Sequence, residues 1–112
     1  MTLRFTKQQR LLKTDEFSSV FSLRRIHTNA FFQAWCKTNT LGHPRLGVVV
    51  AKRVERRAVG RNFIKRTIRE VFRHEAGGLA SLDLIVRAKR SFRATEAQAA
   101  RQALLKLLER FR

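Results

Sequence analysis

Ala58-Val59-Gly60-Arg61-Asn62-Phe63-Ile64-Lys65-Arg66-Thr67-Ile68-Arg69-Glu70-Val71-Phe72-Arg73 is the stretch around which the rest of the chain is organised. At about 100° per residue, Ile64, Thr67, Ile68, Val71 and Phe72 fall on one side of a helix. Arg61, Lys65, Arg69 and Arg73 step four residues apart along the opposite side, and Asn62 and Arg66 widen that stripe. The spacing predicts a helix over 58–75, stopped by Gly77-Gly78, with one face buried and the other cationic. Before it, residues 46–51 are almost continuously apolar and rich in β-branched side chains; after it, residues 82–88 have the same character. Both read as strands, and strand, basic helix, strand is a βαβ unit.

Further out, residues 30–37 are rich in Phe and Trp and read as another strand. The intervening 38–44 holds Gly42 and the only proline, Pro44, so the strands 30–37 and 46–51 are expected to pair antiparallel through an irregular loop. Near the amino terminus Thr14 precedes Asp15 and Glu16, the pattern of a capped helix start, and Phe17, Val20 and Phe21 give that short helix an apolar face. At the other end Ala97, Ala100, Leu104, Leu107, Leu108 and Phe111 mark the inner face of a terminal helix capped near Thr95. The predicted order is helix, strands, helix, strand, helix. This is an α/β (α+β) sandwich in which helices pack a small mixed sheet.

A length of 112 residues fits one domain, here 1–112, and 44% hydrophobic residues with nine Phe suffice for its core. Lys and Arg number 25 against 8 Asp and Glu, giving a formal charge of +17, so the expected partner is a polyanion. Cys36, the single cysteine, cannot close an intramolecular disulfide, and His27, His43 and His74 are too scattered for a structural zinc site. The first residues lack a signal-peptide core, and no apolar run approaches the length of a membrane span. A cytoplasmic protein without a membrane role is the expectation.

Lys52, Arg53, Arg56, Arg57, Arg61, Lys65, Arg66, Arg69 and Arg73 crowd one segment relieved only by Glu55 and Glu70. A solvated helix normally interleaves acids and bases four residues apart; this one does not. Arginine dominates, and guanidinium groups grip phosphate through paired hydrogen bonds and stack on bases, which points to nucleic acid. Charge does not separate RNA from DNA. Phe17 and Phe21 admit two readings, core packing or a platform for unstacked bases, and Phe31, Phe32 and Trp35 share that ambiguity. A nuclease acting through its own side chains would want clustered carboxylates for metal or a pair of His, and neither pattern is present. Glu70, His74 and Glu75 share a helix stretch, but the adjoining His74 and Glu75 point about 100° apart, so dipole and charge balancing is the plainer reading; Cys36 reads as a small buried hydrophobe. Gly60 near the helix start leaves room for a phosphate at backbone N–H groups, a weak signal.

The stretch 58–73 closely resembles the signature of the bacterial ribonuclease P protein family, in the spacing of Arg61-Asn62, Lys65-Arg66, Arg69-Glu70 and Phe72-Arg73. The likeness extends to Arg10-Leu11-Leu12-Lys13 with Phe17, Val20 and Phe21, to Pro44-Arg45-Leu46-Gly47 with Lys52, and to Asp83, Val86 and Ala88-Lys89. One position departs: Phe63 stands where the family usually has Arg, so a flanking contact there is exchanged for packing or stacking. The resemblance implies an αβββαβα order with an unusual left-handed βαβ crossover. It implies a subunit of a ribonucleoprotein endonuclease that removes the 5′ leader from precursor tRNA, the hydrolysis being done by a catalytic RNA and its Mg2+ ions. By the same resemblance Arg61, Asn62, Lys65, Arg66, Arg69 and Arg73 would face the catalytic RNA. Phe17, Phe21, Lys52 and Arg53 would line a cleft for the single-stranded leader, with no catalytic side chain and no obligate protein partner. The alternative is a structured-RNA-binding protein of ribosomal or chaperone type with no part in cleavage.

Overall fold

The computed structural model describes residues 25–79 and 81–111. They form a mixed four-stranded sheet and two helices, an α+β fold. The strands are β1 (Arg25–Thr28), β2 (Phe32–Thr38), β3 (Arg45–Val49) and β4 (Leu82–Ala88); the helices are α1 (Ala58–Glu75) and α2 (Ala97–Glu109). The helix expected around Phe17, Val20 and Phe21 lies outside the described residues.

The sheet order is β1-β2-β4-β3, and this corrects one expectation. β2 and β3 are not partners: β4 runs between them, antiparallel to β2 from Phe32↔Ala88 to Thr38↔Leu82 and parallel to β3 from Arg45↔Asp83 to Val49↔Arg87. The reason lies in burial. Six of the seven residues of β4 are buried, including both faces at its centre, and a strand apolar on both faces gains most from a central position with two partners. The 39–44 loop makes the crossing, with Gly42 at φ 85°, a left-handed conformation that glycine adopts without strain. Its N–H donates to the Ser81 hydroxyl at 2.9 Å, which holds the loop beside the start of β4.

β1 is a strand the sequence pattern does not announce. It is four residues long, largely exposed, and pairs antiparallel with β2 at the sheet edge. Asn29 makes its turn: Oδ1 accepts the backbone N–H groups of Phe31 and Phe32 at 3.0 and 2.9 Å, while Nδ2 donates to the Ala103 carbonyl at 3.0 Å. One side chain thus shapes the turn and ties it to α2.

Strand alternation gives the sheet two unlike faces. Phe32, Ala34, Cys36, Leu46, Leu84, Val86 and Ala88 meet Ile64, Ile68, Val71 and Phe72 of α1 and Ala100, Leu104, Leu107, Leu108 and Phe111 around α2 in one core. The predicted inner face of α1 is buried throughout, Thr67 included, whose hydroxyl donates to the Phe63 carbonyl at 2.9 Å. Each such apolar side chain contributes about 1.5–3 kcal/mol relative to exposure. On the opposite sheet face Trp35 and Ile85 form a second small cluster with Val49 against it.

Two helix ends differ from expectation. Gly77 and Gly78 do not take a left-handed cap; α1 tightens instead into a 3-10 turn over Ala76–Gly78. Thr95 does not cap α2, which is entered through a 3-10 turn over Ala94–Glu96 without a side-chain cap.

Candidate nucleic-acid interface

The apolar periodicity of α1 fixes which side of it meets the core, so its cations are carried outward. Asn62, Arg66, Arg69 and Arg73, with Glu70, line an open cleft of about 460 Å³. Four of the six predicted signature residues therefore surround one cavity wide enough for a phosphate group. Lys65 lies outside that lining, on the same helix. Arg61 is committed partly to the fold: its Nη1 donates to the carbonyls of Arg56 and Glu55 at 2.8 and 3.1 Å. Glu70 accepts from Arg101 of α2 at 3.0 Å, so the one acid in the cleft is paired from the side.

A second concentration of cations lies where β3 and β4 end. Lys52 and Arg53 are exposed in the turn after β3, where the N–H groups of Val54 and Glu55 both bond the Ala51 carbonyl. Arg56 and Arg57 follow, exposed, at the entry to α1. Lys89 and Arg90 stand beyond β4. Lys89 Nζ donates to the Asn29 carbonyl at 2.8 Å and to the Thr28 hydroxyl at 3.2 Å; Arg90 lies over the Phe31 ring at 4.7 Å and pairs with Glu96. Phe17 and Phe21, expected to complete a leader cleft with Lys52 and Arg53, lie outside the described residues.

Glu55 organises this end. Its Oε1 accepts the Arg57 backbone N–H at 3.1 Å and Arg57 Nε at 3.2 Å, and its Oε2 accepts the Ser91 hydroxyl. The Ser91 hydroxyl, then the Arg57 N–H and guanidinium, hold its carboxyl at a pKa of about 2 despite some opposing burial. Gly60 is buried beneath it: a Cβ there would stand 2.6 Å from Glu55 Cδ. A carboxylate of this chain thus lies over the first turn of α1, the place where Gly60 leaves room for a phosphate at the backbone. Neither the role of Glu55 nor that of Ser91 has a sequence signal, since the two are 36 positions apart.

For Phe31, Phe32 and Trp35 the aromatic ambiguity resolves by position. Phe32 belongs to the helix-covered core, and Trp35 to the opposite face, where Arg87 lies over its ring at 5.3 Å and bonds Gln33. Phe63 packs edge-on against Phe92 at 6.1 Å, and Phe92 in turn meets Phe31 and Phe32. The departure at Phe63 therefore serves packing. Cys36 is buried, which pushes its thiol pKa up; Arg25 Nη2, donating to Sγ at 3.5 Å, opposes that shift. Among the described residues no group of three or more His, Cys, Asp or Glu is placed to hold a metal ion, and no helix is long and apolar enough to cross a membrane.

Comparison with known proteins places the chain in a family and matches its fold. The Ribonuclease P family profile matches residues 5–112. The ribonuclease P protein component of Chromobacterium violaceum is 54% identical over 112 residues, covering 97% of this chain and 93% of that protein. That of an Azoarcus species is 45% identical over 107 residues, covering 96% and 89%. The solved RNase P protein of Staphylococcus aureus superposes with a TM-score of 0.81 at 29% identity, covering 93% of this chain and 98% of that one. The Thermotoga maritima RNase P protein gives 0.76 at 28% identity, covering 92% and 97%. The chain belongs to the ribonuclease P protein family.

Proposed function

We propose that this protein is the subunit of ribonuclease P that binds the catalytic RNA through α1 and the single-stranded 5′ leader of precursor tRNA through Phe17, Phe21 and the turn after β3. The observation that carries the reading is the cleft lined by Asn62, Arg66, Arg69 and Arg73, a cationic lining with a single, already paired acid. Such a surface neutralises phosphate and releases counterions, and it supplies no general acid or base. Lys52 and Arg53 would take leader phosphates, and Phe17 and Phe21 would stack on its bases with little sequence demand.

In this reading the Mg2+ ions that hydrolyse the phosphodiester are held by the RNA and the substrate. The donor chemistry of the described residues supports that division. Two acids beside the cationic stripe, Glu55 and Glu70, are each engaged by arginine, and among the described residues no group of three or more His, Cys, Asp or Glu stands there to ligate magnesium. The protein's part is to let two polyanions approach and to orient them, in the cytoplasm where precursor tRNA is made.

The test is cleavage of precursor tRNA at low magnesium by a bacterial ribonuclease P RNA, with and without this protein, beside a protein-only control. Efficient cutting at the mature 5′ end by the combination alone is the expected result. No change on adding the protein would favour a general RNA-binding role, and cutting by the protein alone would overturn the division of labour.

A further inference from the structure

We propose that Glu55 is a positioning residue for RNA binding: this acid holds Arg57 and Arg61 in the orientation in which they meet phosphate. The proposal rests on the reading of this surface as an RNA interface and adds a residue whose charge has the wrong sign for one. Three contacts converge on its side chain, from the Arg57 N–H, Arg57 Nε and the Ser91 hydroxyl. Its own backbone carbonyl, with that of Arg56, receives Arg61 Nη1. Glu55 therefore orients Arg57 directly and, through the loop it anchors, Arg61.

The seat is built for it. The carboxylate reaches the first turn of α1 because Gly60 has no side chain, and a Cβ there would overlap Glu55 Cγ and Cδ at 2.7 and 2.6 Å. The hydrogen bonds that hold it favour the ionised form, so it remains an anion wherever RNA binds. Its removal then has two opposed effects. Through space, loss of a negative charge favours a polyanion. Through geometry, arginines released from their anchor leave the positions in which they meet phosphate, so fewer phosphates are neutralised, which disfavours it. The number of fixed hydrogen bonds around Glu55 makes the second effect the larger.

The experiment is filter binding of the full-length protein to a bacterial ribonuclease P RNA across a series of salt concentrations, for wild type, Glu55→Gln, Gly60→Ala and Glu109→Gln. Gly60→Ala leaves net charge untouched and favours the helix, yet displaces the carboxylate. Glu109→Gln makes the same charge change as Glu55→Gln at the C-terminal end of α2, where Glu109 is exposed. Glu55→Gln and Gly60→Ala are expected to bind about three- to tenfold more weakly than wild type, with a salt slope shallower by about one for each phosphate no longer neutralised. Glu109→Gln should bind at least as tightly as wild type. Thermal melts of each variant at the same salt concentrations correct for any loss of folding, and weakening with an unchanged slope then overturns the proposal. Glu55→Gln binding as tightly as Glu109→Gln overturns it too. Failure of the wild type to bind the RNA would bring down the underlying reading with it, whereas wild-type binding with indifferent variants would remove only Glu55.

Discussion

The two ends of the parallel pair β3–β4 carry the same residue type to opposite purposes. At the starting end Arg45 stands across from Asp83 in register, and Asp83, 4% exposed, accepts Arg45 Nε and Nη2 at 2.8 Å each and Asn39 Nδ2 at 2.8 Å. At the finishing end Lys52, Arg53, Arg56, Arg57, Lys89 and Arg90 are all exposed. The difference is the acid. A buried carboxylate with both oxygens engaged turns Arg45 into a strand-to-strand fastening. Outnumbered acids at the other end orient cations and leave them facing outward. An arginine count therefore says little about a binding surface until each buried acid has been assigned its partner.

The largest effect that would break this contrast is expected at Asp83. Asp83→Ala removes the buried carboxylate that engages Arg45 and Asn39 together and should cost about 3–5 kcal/mol of unfolding free energy, read from denaturant titrations. RNA affinity of the folded fraction should stay where it was. A variant that folded normally and bound RNA differently would place Arg45 in the interface and dissolve the distinction between the two ends. The reciprocal change is Arg66→Glu, at an exposed position in the α1 cleft. It should weaken binding to a bacterial ribonuclease P RNA by at least about tenfold, or about 1.4 kcal/mol, and flatten the salt dependence. Fold stability should change by no more than about 0.5 kcal/mol. A loss of stability comparable to that of Asp83→Ala would show that Arg66, too, is structural.

How much of this was legible in the sequence follows from the range of the interactions. The inner face of α1 was readable because Ile64, Thr67, Ile68, Val71 and Phe72 repeat within one element, and the cationic stripe for the same reason. The βαβ unit followed from its neighbours. Strand order did not, because the central place of β4 depends on competition among partners distant in sequence, and local patterning is silent on that. Residue patterning did not show β1, because a short, exposed edge strand needs little apolar patterning; only the resemblance, with three strands before the central helix, implied it. Away from the site, the resemblance singled out Arg45 and Asp83, but their pairing spans 38 positions. The seat of Glu55 over Gly60 depends on a missing Cβ facing a carboxylate, which no spacing rule encodes.

Phe63 sharpens the comparison within α1 itself. Its edge-on contact with Phe92 replaces the cation usual in the family, so Phe63→Arg exchanges packing for charge. Thermal melts should show a loss of about 1 kcal/mol, the worth of an aromatic pair. The salt slope for RNA binding should steepen by about one if the new guanidinium reaches phosphate. A steeper slope without loss of stability would mean that Phe63 contributes nothing to the aromatic cluster joining α1 to the chain beyond β4.

The smallest expected effect lies on the edge strand, where Arg25 and Arg110 meet a histidine. His27 packs against Phe111 at 4.8 Å between centroids and accepts a hydrogen bond at Nδ1 from Arg110 Nε at 3.1 Å. Arg25 lies over the same Phe111 ring at 5.6 Å. Burial first, then the charges of Arg110 and Arg25, lower the His27 pKa. A base whose folded pKa is depressed binds protons more readily when unfolded. The neutral ring's contribution is therefore complete above the ordinary histidine value of about 6.5 and is lost as pH falls through the lower folded value. Protonation also removes the lone pair that Arg110 uses. Melting temperature should consequently rise with pH below the ordinary histidine value of about 6.5 more steeply in the wild type than in His27→Phe, which keeps a ring against Phe111 and cannot titrate. Parallel pH profiles for the two proteins would show that Arg25 and Arg110 act on His27 only through solvent, and that cations on this edge, unlike those around Glu55, are held by nothing specific.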